Sequence, residues 1–213
     1  MPTREQPRLE ICILAGGLST RLGRDKARVK LDGMTMLARI RAVAGVSSTF
    51  RLTGYGNTLK RELQPRVRVL RQDAVPRCGP LGGIVTALRT TQARAVLFLA
   101  CDMPLITPTL LRRLFRASAD GHCATFTAGD ARAGFPLLLP VKVLPEIEEQ
   151  ISRGEFSLQA LEKKLLARRL LIPAHAEELM NVNTPEDVAR VELALRTRPK
   201  AALKRPHSPA GRD

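Results

Sequence analysis

Leu14-Ala15-Gly16-Gly17 opens a stretch that continues through Ser19, Arg21, Gly23 and Asp25 to Lys26. A buried apolar run, Leu9–Leu14, feeds directly into it. Two glycines at that point let the backbone approach a ligand closely and turn its N–H groups inward as an anion cradle. Arg21 and Lys26 add positive charge within the same loop, and Ser19 adds a hydroxyl. Directional donors together with fixed cations are what a triphosphate requires. A glycine pair alone would equally be an ordinary strand-to-helix turn; the added Ser, Arg, Asp and Lys favour the phosphate reading. The pattern is neither GxxxxGK[ST] nor GxGxxG, so neither a Walker loop nor a dinucleotide-binding turn is expected.

A second constellation is Asp102, just past the apolar run Ala95–Ala100. In an open α/β sheet, an acid at the carboxyl end of a buried strand faces the crevice where ligands bind. One carboxylate, completed by phosphate oxygens and water, is an ordinary Mg²⁺ site. Asp102 could also simply cap the turn before Pro104. Asp73 by itself reads as a turn residue, Gly79-Pro80-Leu81-Gly82-Gly83 as a helix entry, and Asn181 and Asn183 as flanking the cap of the last helix.

These groups must be carried by a scaffold, and its pattern is legible. Short apolar runs alternate with amphipathic segments, the signature of a mostly parallel sheet covered by helices. Strands are expected at 9–14, 50–53, 67–70, 95–100, 123–127, 135–139 and 170–172. The 123–127 and 135–139 pair is read as an antiparallel addition. Helices are expected at 34–43, 57–63, 79–88, from Pro108 after a Thr107 cap, at 141–151, at 158–166, and from Thr184 to Leu195, where Asp187 can return a bond to the cap.

The 213 residues suffice for one domain, 1–196. From Arg196 onward six Lys or Arg face one Asp, with three Pro and no apolar periodicity, so 197–213 is expected to be a disordered basic tail. The net charge of +15 attracts polyanions. Aromatic residues make up only 3%, too few for base stacking, so nucleic acid is not the expected partner. Cys12, Cys78, Cys101 and Cys123 form no CxxC pair, and Cys12 and Cys101, within apolar runs, read as small core residues. With no leader and no long apolar run, a cytoplasmic enzyme without membrane attachment is expected.

The pattern LAGGxSxRxGxDK resembles that of the molybdenum cofactor guanylyltransferase family, within the nucleotide-diphospho-sugar transferase-like superfamily. The resemblance extends to Asp73, Gly79–Gly83, Cys101-Asp102-Met103-Pro104, Ser157-Leu158 and Asn181–Glu186, in that order. It implies a Rossmann-like three-layer α/β/α fold and Mg²⁺-dependent transfer of GMP from GTP to molybdopterin, with pyrophosphate released. It implies that Leu14, Ala15, Gly16, Gly17, Ser19, Arg21, Lys26 and Asp102 bind the nucleotide, and that Arg21, Lys26 and Asp102 are catalytic. It assigns Mg²⁺ to Asp102, base and ribose to Asp73 and Gly79-Pro80-Leu81, and the acceptor side to Asn181 and Asn183. A molybdoenzyme or its chaperone is the implied recipient. A sister cytidylyltransferase branch tends to carry LAAG, so Gly16-Gly17 favours guanine over CTP. Two positions depart from the pattern. Thr53 stands where an Asn often contacts the nucleotide, and Phe135 precedes Pro136 where a His is common, which leaves another phosphorylated acceptor as the alternative.

Overall fold

The computed structural model describes residues 9–15, 26–44, 50–53, 67–70, 78–118, 120–128, 131–172 and 177–197. Strand β1 (Leu9–Leu14) alternates its side chains between two apolar layers. Ile11 and Ile13 face one side of the sheet, and Cys12 and Leu14 face the other. Past Lys26–Arg28, a single 3₁₀ turn, comes a small hairpin of β2 (Lys30–Leu31) and β3 (Met34–Thr35). Helix α1 (Met36–Ala44), β4 (Phe50–Thr53) and β5 (Val67–Leu70) follow, then α2 (Pro80–Thr90), β6 (Ala95–Ala100) and α3 (Pro108–Ala117). The remainder is β7 (Ala124–Ala128), β8 (Ala131–Pro140), α4 (Leu144–Ser152), α5 (Leu158–Lys164), β9 (Arg168–Ile172) and α6 (Pro185–Thr197).

The main sheet has seven strands in the order β5-β4-β1-β6-β8-β7-β9. All run parallel except β8, which is antiparallel to both β6 and β7. One face is covered by α1 and α3, through Leu37, Ile40, Leu110, Leu111 and Leu114. The other is covered by α2, α4 and α5, through Leu81, Ile84, Leu88, Ile147 and Leu161. This is the expected three-layer α/β/α arrangement, with the expected antiparallel insertion. Cys12 and Cys101 are buried, as expected, Cys78 and Cys123 are buried too, and none of the four is in a disulfide.

Several boundaries differ from expectation for local reasons. The helix expected from Met34 begins at Met36, because Asp32-Gly33 turns the chain into the β2–β3 hairpin. Both residues have positive φ (48° and 76°), the geometry a tight Asp-Gly hairpin turn requires. Thr35 then caps α1, its Oγ1 accepting from Ala38 N–H at 3.2 Å. The helix expected over 141–151 is split into a 3₁₀ turn, Val141–Val143, and α4, where Pro145 has no N–H to continue an earlier turn. Strands β8 and β9 extend beyond their apolar cores, to Ala131 and Arg168. The helix expected at 57–63 and the tail after Thr197 lie outside the described residues.

Candidate active site

The sheet aligns four strand ends in one row. Leu70 pairs with Thr53, Thr53 with Leu14, and Leu14 with Ala100. The chain runs from β1 outward to β4 and β5, then crosses back to β6 on β1's other flank. The carboxyl ends of β1 and β6 therefore lie at a topological switch point, where open α/β sheets bind ligands. Cys101 N–H donates to Leu14 O at 3.1 Å, which prolongs the β1–β6 pairing and sets Asp102 beside the start of the glycine-rich loop.

Three side chains from distant parts of the sequence meet there. Lys26 Nζ lies 3.1 Å from Asp102 Oδ2 and 2.5 Å from Asn183 Oδ1. Lys26 and Asp102 are each about one-fifth exposed, so the pair opens onto solvent. Each member is separately anchored. Lys26 begins its 3₁₀ turn, whose Ala27 is buried in the core. Asp102 leaves β6, and its backbone O accepts from Val182 N–H at 2.8 Å. That bond clips the Asn183 segment onto the β6 exit. Asn183 is also held by the cap of α6. Asp187 Oδ2 accepts from Asn183 N–H at 2.9 Å and Thr184 N–H at 3.0 Å, while Thr184 Oγ1 accepts from Asp187 N–H at 3.2 Å. This is a reciprocal capping box, as the Thr184-Pro185-Glu186-Asp187 spacing implied. Bonds from Asn183 and Thr184 hold the Asp187 carboxyl below its ordinary range.

Of the residues singled out in the sequence, Lys26, Asp102 and Asn183 are thus brought together. Asn181 lies exposed on the same extended segment. Leu14 and Ala15 turn their side chains into the core, so what they can offer a ligand is backbone. Thr53 ends β4 in the row above. Gly79 and Pro80 are exposed at the start of α2, Gly79 with φ 57° before the helix and Pro80 in its first turn. Leu81 is fully buried, so it too can meet a ligand only through its main chain. Gly16, Gly17, Ser19, Arg21 and Asp73 lie outside the described residues. Phe135 is half-buried between the two apolar layers.

The donors converging here, a carboxylate and an amide oxygen, are hard ligands of the kind Mg²⁺ prefers, and a cation already sits between them.

The fold is of the nucleotide-diphospho-sugar transferase type, and likeness to known proteins makes the chain a nucleotidyltransferase. The sequence profile of the MobA-like NTP transferase domain matches residues 11–171, and the chain belongs to that family. A molybdenum cofactor guanylyltransferase of Pseudomonas entomophila is 31% identical over 186 residues, covering 84% of this chain and 96% of the relative. Its counterpart in Pseudomonas putida is 32% identical over 186 residues, with 84% and 95% covered. Among solved structures, molybdopterin-guanine dinucleotide biosynthesis protein A of Archaeoglobus fulgidus superposes with a TM-score of 0.72 at 19% identity, covering 89% of this chain and all of that one. The 2-C-methyl-D-erythritol 4-phosphate cytidylyltransferase of Thermus thermophilus shares the fold with a TM-score of 0.64 at 17% identity, covering 88% and 98%.

Proposed function

We propose that this enzyme transfers GMP from GTP to the terminal phosphate of molybdopterin and releases pyrophosphate. The observation that carries the reading is the Lys26 ammonium held between Asp102 and Asn183 at the β1–β6 switch point. The names of the 31–32% identical relatives support the guanine base and the molybdopterin acceptor.

The acceptor's phosphate is mostly dianionic at neutral pH, since a phosphomonoester loses its second proton near pH 6, and needs no general base. It attacks the α-phosphorus in line; a P–O bond forms there as the bond to the β-phosphate oxygen breaks. The task left to the protein is positioning and charge stabilisation. Lys26, Arg21 and the N–H groups of residues 14–19 hold the β- and γ-phosphates and stabilise the leaving pyrophosphate. Asp73 and the Gly79-Pro80-Leu81 main chain receive base and ribose, with Thr53 beside them. Asn181 and Asn183 face the acceptor. Asp102 holds Mg²⁺, which when bound supplies positive charge at the phosphate oxygens. The catalytic unit is residues 1–196, acting in the cytoplasm and delivering its product to a molybdoenzyme or its chaperone. Among the described residues no helix is long and apolar enough to cross a membrane.

The test is a product assay with GTP, Mg²⁺ and molybdopterin, reading the guanine dinucleotide and pyrophosphate in equal amounts. Absence of the dinucleotide with active acceptor sinks the reading. The alternative, another base or acceptor, draws on Phe135 and on the fold shared with a cytidylyltransferase. Calorimetric titration separates the bases: Mg-GTP should bind more tightly than Mg-CTP or Mg-ATP, and equal CTP affinity removes guanine from the proposal.

A further inference from the structure

Arg39 is a charged residue with almost no access to solvent, placed on α1, and its partners are Leu31 and Asp32 rather than Lys26, Asp102 or Asn183. Its side chain is 4% exposed. Nε donates to Leu31 O at 3.0 Å, and Nη2 donates to the same oxygen. The Asp32 carboxylate lies 3.8 Å from Nη2. Burial lowers the guanidinium's pKa, and Asp32 partly restores it. A buried ion pair is weak evidence for stability, because an apolar side chain of similar volume often serves as well. A fork of two bonds on one carbonyl does something an apolar side chain cannot: it fixes where that carbonyl lies.

The carbonyl belongs to the hairpin that continues from Lys26. Val29 N–H donates to Lys26 O at 3.1 Å, and Met36 N–H donates to Val29 O at 2.9 Å. The hairpin's base is therefore closed onto the turn that bears the lysine. Val29, Leu31 and Met36 pack with Leu105, Val182 and Val191. Leu105 lies three residues after Asp102, and Val182 immediately precedes Asn183. One small apolar cluster thus joins the segments that carry all three site residues, and Arg39 pins its hairpin wall to α1.

From this we infer that Arg39 is a positioning residue for Lys26, setting the hairpin from which the ammonium reaches its two partners. The inference rests on the reading of Lys26 as a phosphate-holding group. An ångström of displacement at such a contact is enough to weaken it severely.

The experiment is a double-mutant cycle of Arg39→Met and Lys26→Ala in the full chain, read by calorimetric titration of Mg-GTP. Arg39→Met alone should weaken binding about tenfold. In the Lys26→Ala background the same change should cost less than about twofold, because the group it positions is gone. Equal losses in both backgrounds overturn the inference. A ligand-free readout accompanies it: amide exchange at Val29 should quicken in Arg39→Met while β6 and α3 keep their protection, and unchanged exchange at Val29 also overturns it. If Arg39→Met does not fold, Arg39→Lys, which keeps the charge and loses the fork, carries the same cycle. If Lys26→Ala alone binds Mg-GTP like the parent, the phosphate-holding reading is what fails, and the exchange measurement still decides whether Arg39 fixes the turn.

Discussion

Replacing Lys26 by alanine should abolish most turnover while barely affecting the fold. At 3.1 Å and an effective dielectric of about 20, the bare attraction between Lys26 and Asp102 is about 5 kcal/mol. Little of that is net stability. The two side chains are 21% and 18% exposed, so water replaces the lost ammonium at Asp102 and at the Asn183 amide. Desolvation and the entropy of holding a long side chain offset most of the remainder, leaving about 1 kcal/mol. For a chain of this size that is a fall of about 2–4 °C in Tm. Removing one charge contact to a transferring phosphate costs far more, about 3–4 kcal/mol of barrier, or 10²–10³ in rate. Initial rates of pyrophosphate release, measured beside a thermal melt, test both halves. A variant with turnover within about tenfold of the parent refutes the catalytic role. A Tm loss above about 10 °C refutes the energetic argument, since it makes the pair a structural element.

Three further outcomes follow from the same contacts. Asp102→Asn keeps the shape and removes the charge, so it should fold normally and lose Mg²⁺-dependent turnover by about 10²-fold or more; a pyrophosphate assay across a Mg²⁺ titration checks this, and full activity at any Mg²⁺ level contradicts it. Asp187→Ala removes the acceptor of the Asn183 and Thr184 N–H groups and should cost about 1 kcal/mol in urea unfolding at pH 7. Its carboxyl has a lowered pKa in the folded state, so its contribution is present above about pH 4 and is lost as pH falls through the lowered value. The gap between parent and variant should therefore narrow in acid, and a constant gap would show that the carboxylate's charge is irrelevant to the cap. Finally, burial pushes the Cys123 thiol up to about 11, and the other three cysteines are buried too. A thiol-specific reagent at pH 8 should titrate all four only after denaturation.

The scaffold was readable wherever burial dictated composition. β1, β4, β5 and β6 fall at their expected residues, and β6 shows the reason most plainly: a central strand covered on both faces is a short unbroken apolar run. The ends of α3 and α6 were equally plain, since Thr107-Pro108 and Thr184-Pro185 state their caps in side-chain chemistry. The hairpin at 30–35 was missed although Asp32-Gly33 is a strong hairpin signal; helical spacing from Met34 onward masked it. Arg168 and Arg169 extend β9 without any apolar cue, because an edge strand need not be apolar.

The site shows a different limit. Lys26 and Asp102 could each be proposed from local pattern, one in a glycine-rich loop and one at a strand end. Their contact spans 76 residues of sequence, and the Lys26–Asn183 contact spans 157. No periodicity links such positions; the β1–β6 register and the Val182-to-Asp102 backbone bond do. Asn183 shows what this adds. In sequence it is an amide before a helix cap, with a role implied only through resemblance. In three dimensions its Oδ1 accepts from the same ammonium that Asp102 pairs with, and its N–H is bound by the cap carboxylate. The capping box of α6 therefore orients a site residue as well as starting a helix. Disturbing that cap should reach turnover as well as stability: Asp187→Ala should lower the rate more than its 1 kcal/mol of unfolding would suggest, and a variant that loses stability with turnover intact would separate the two roles.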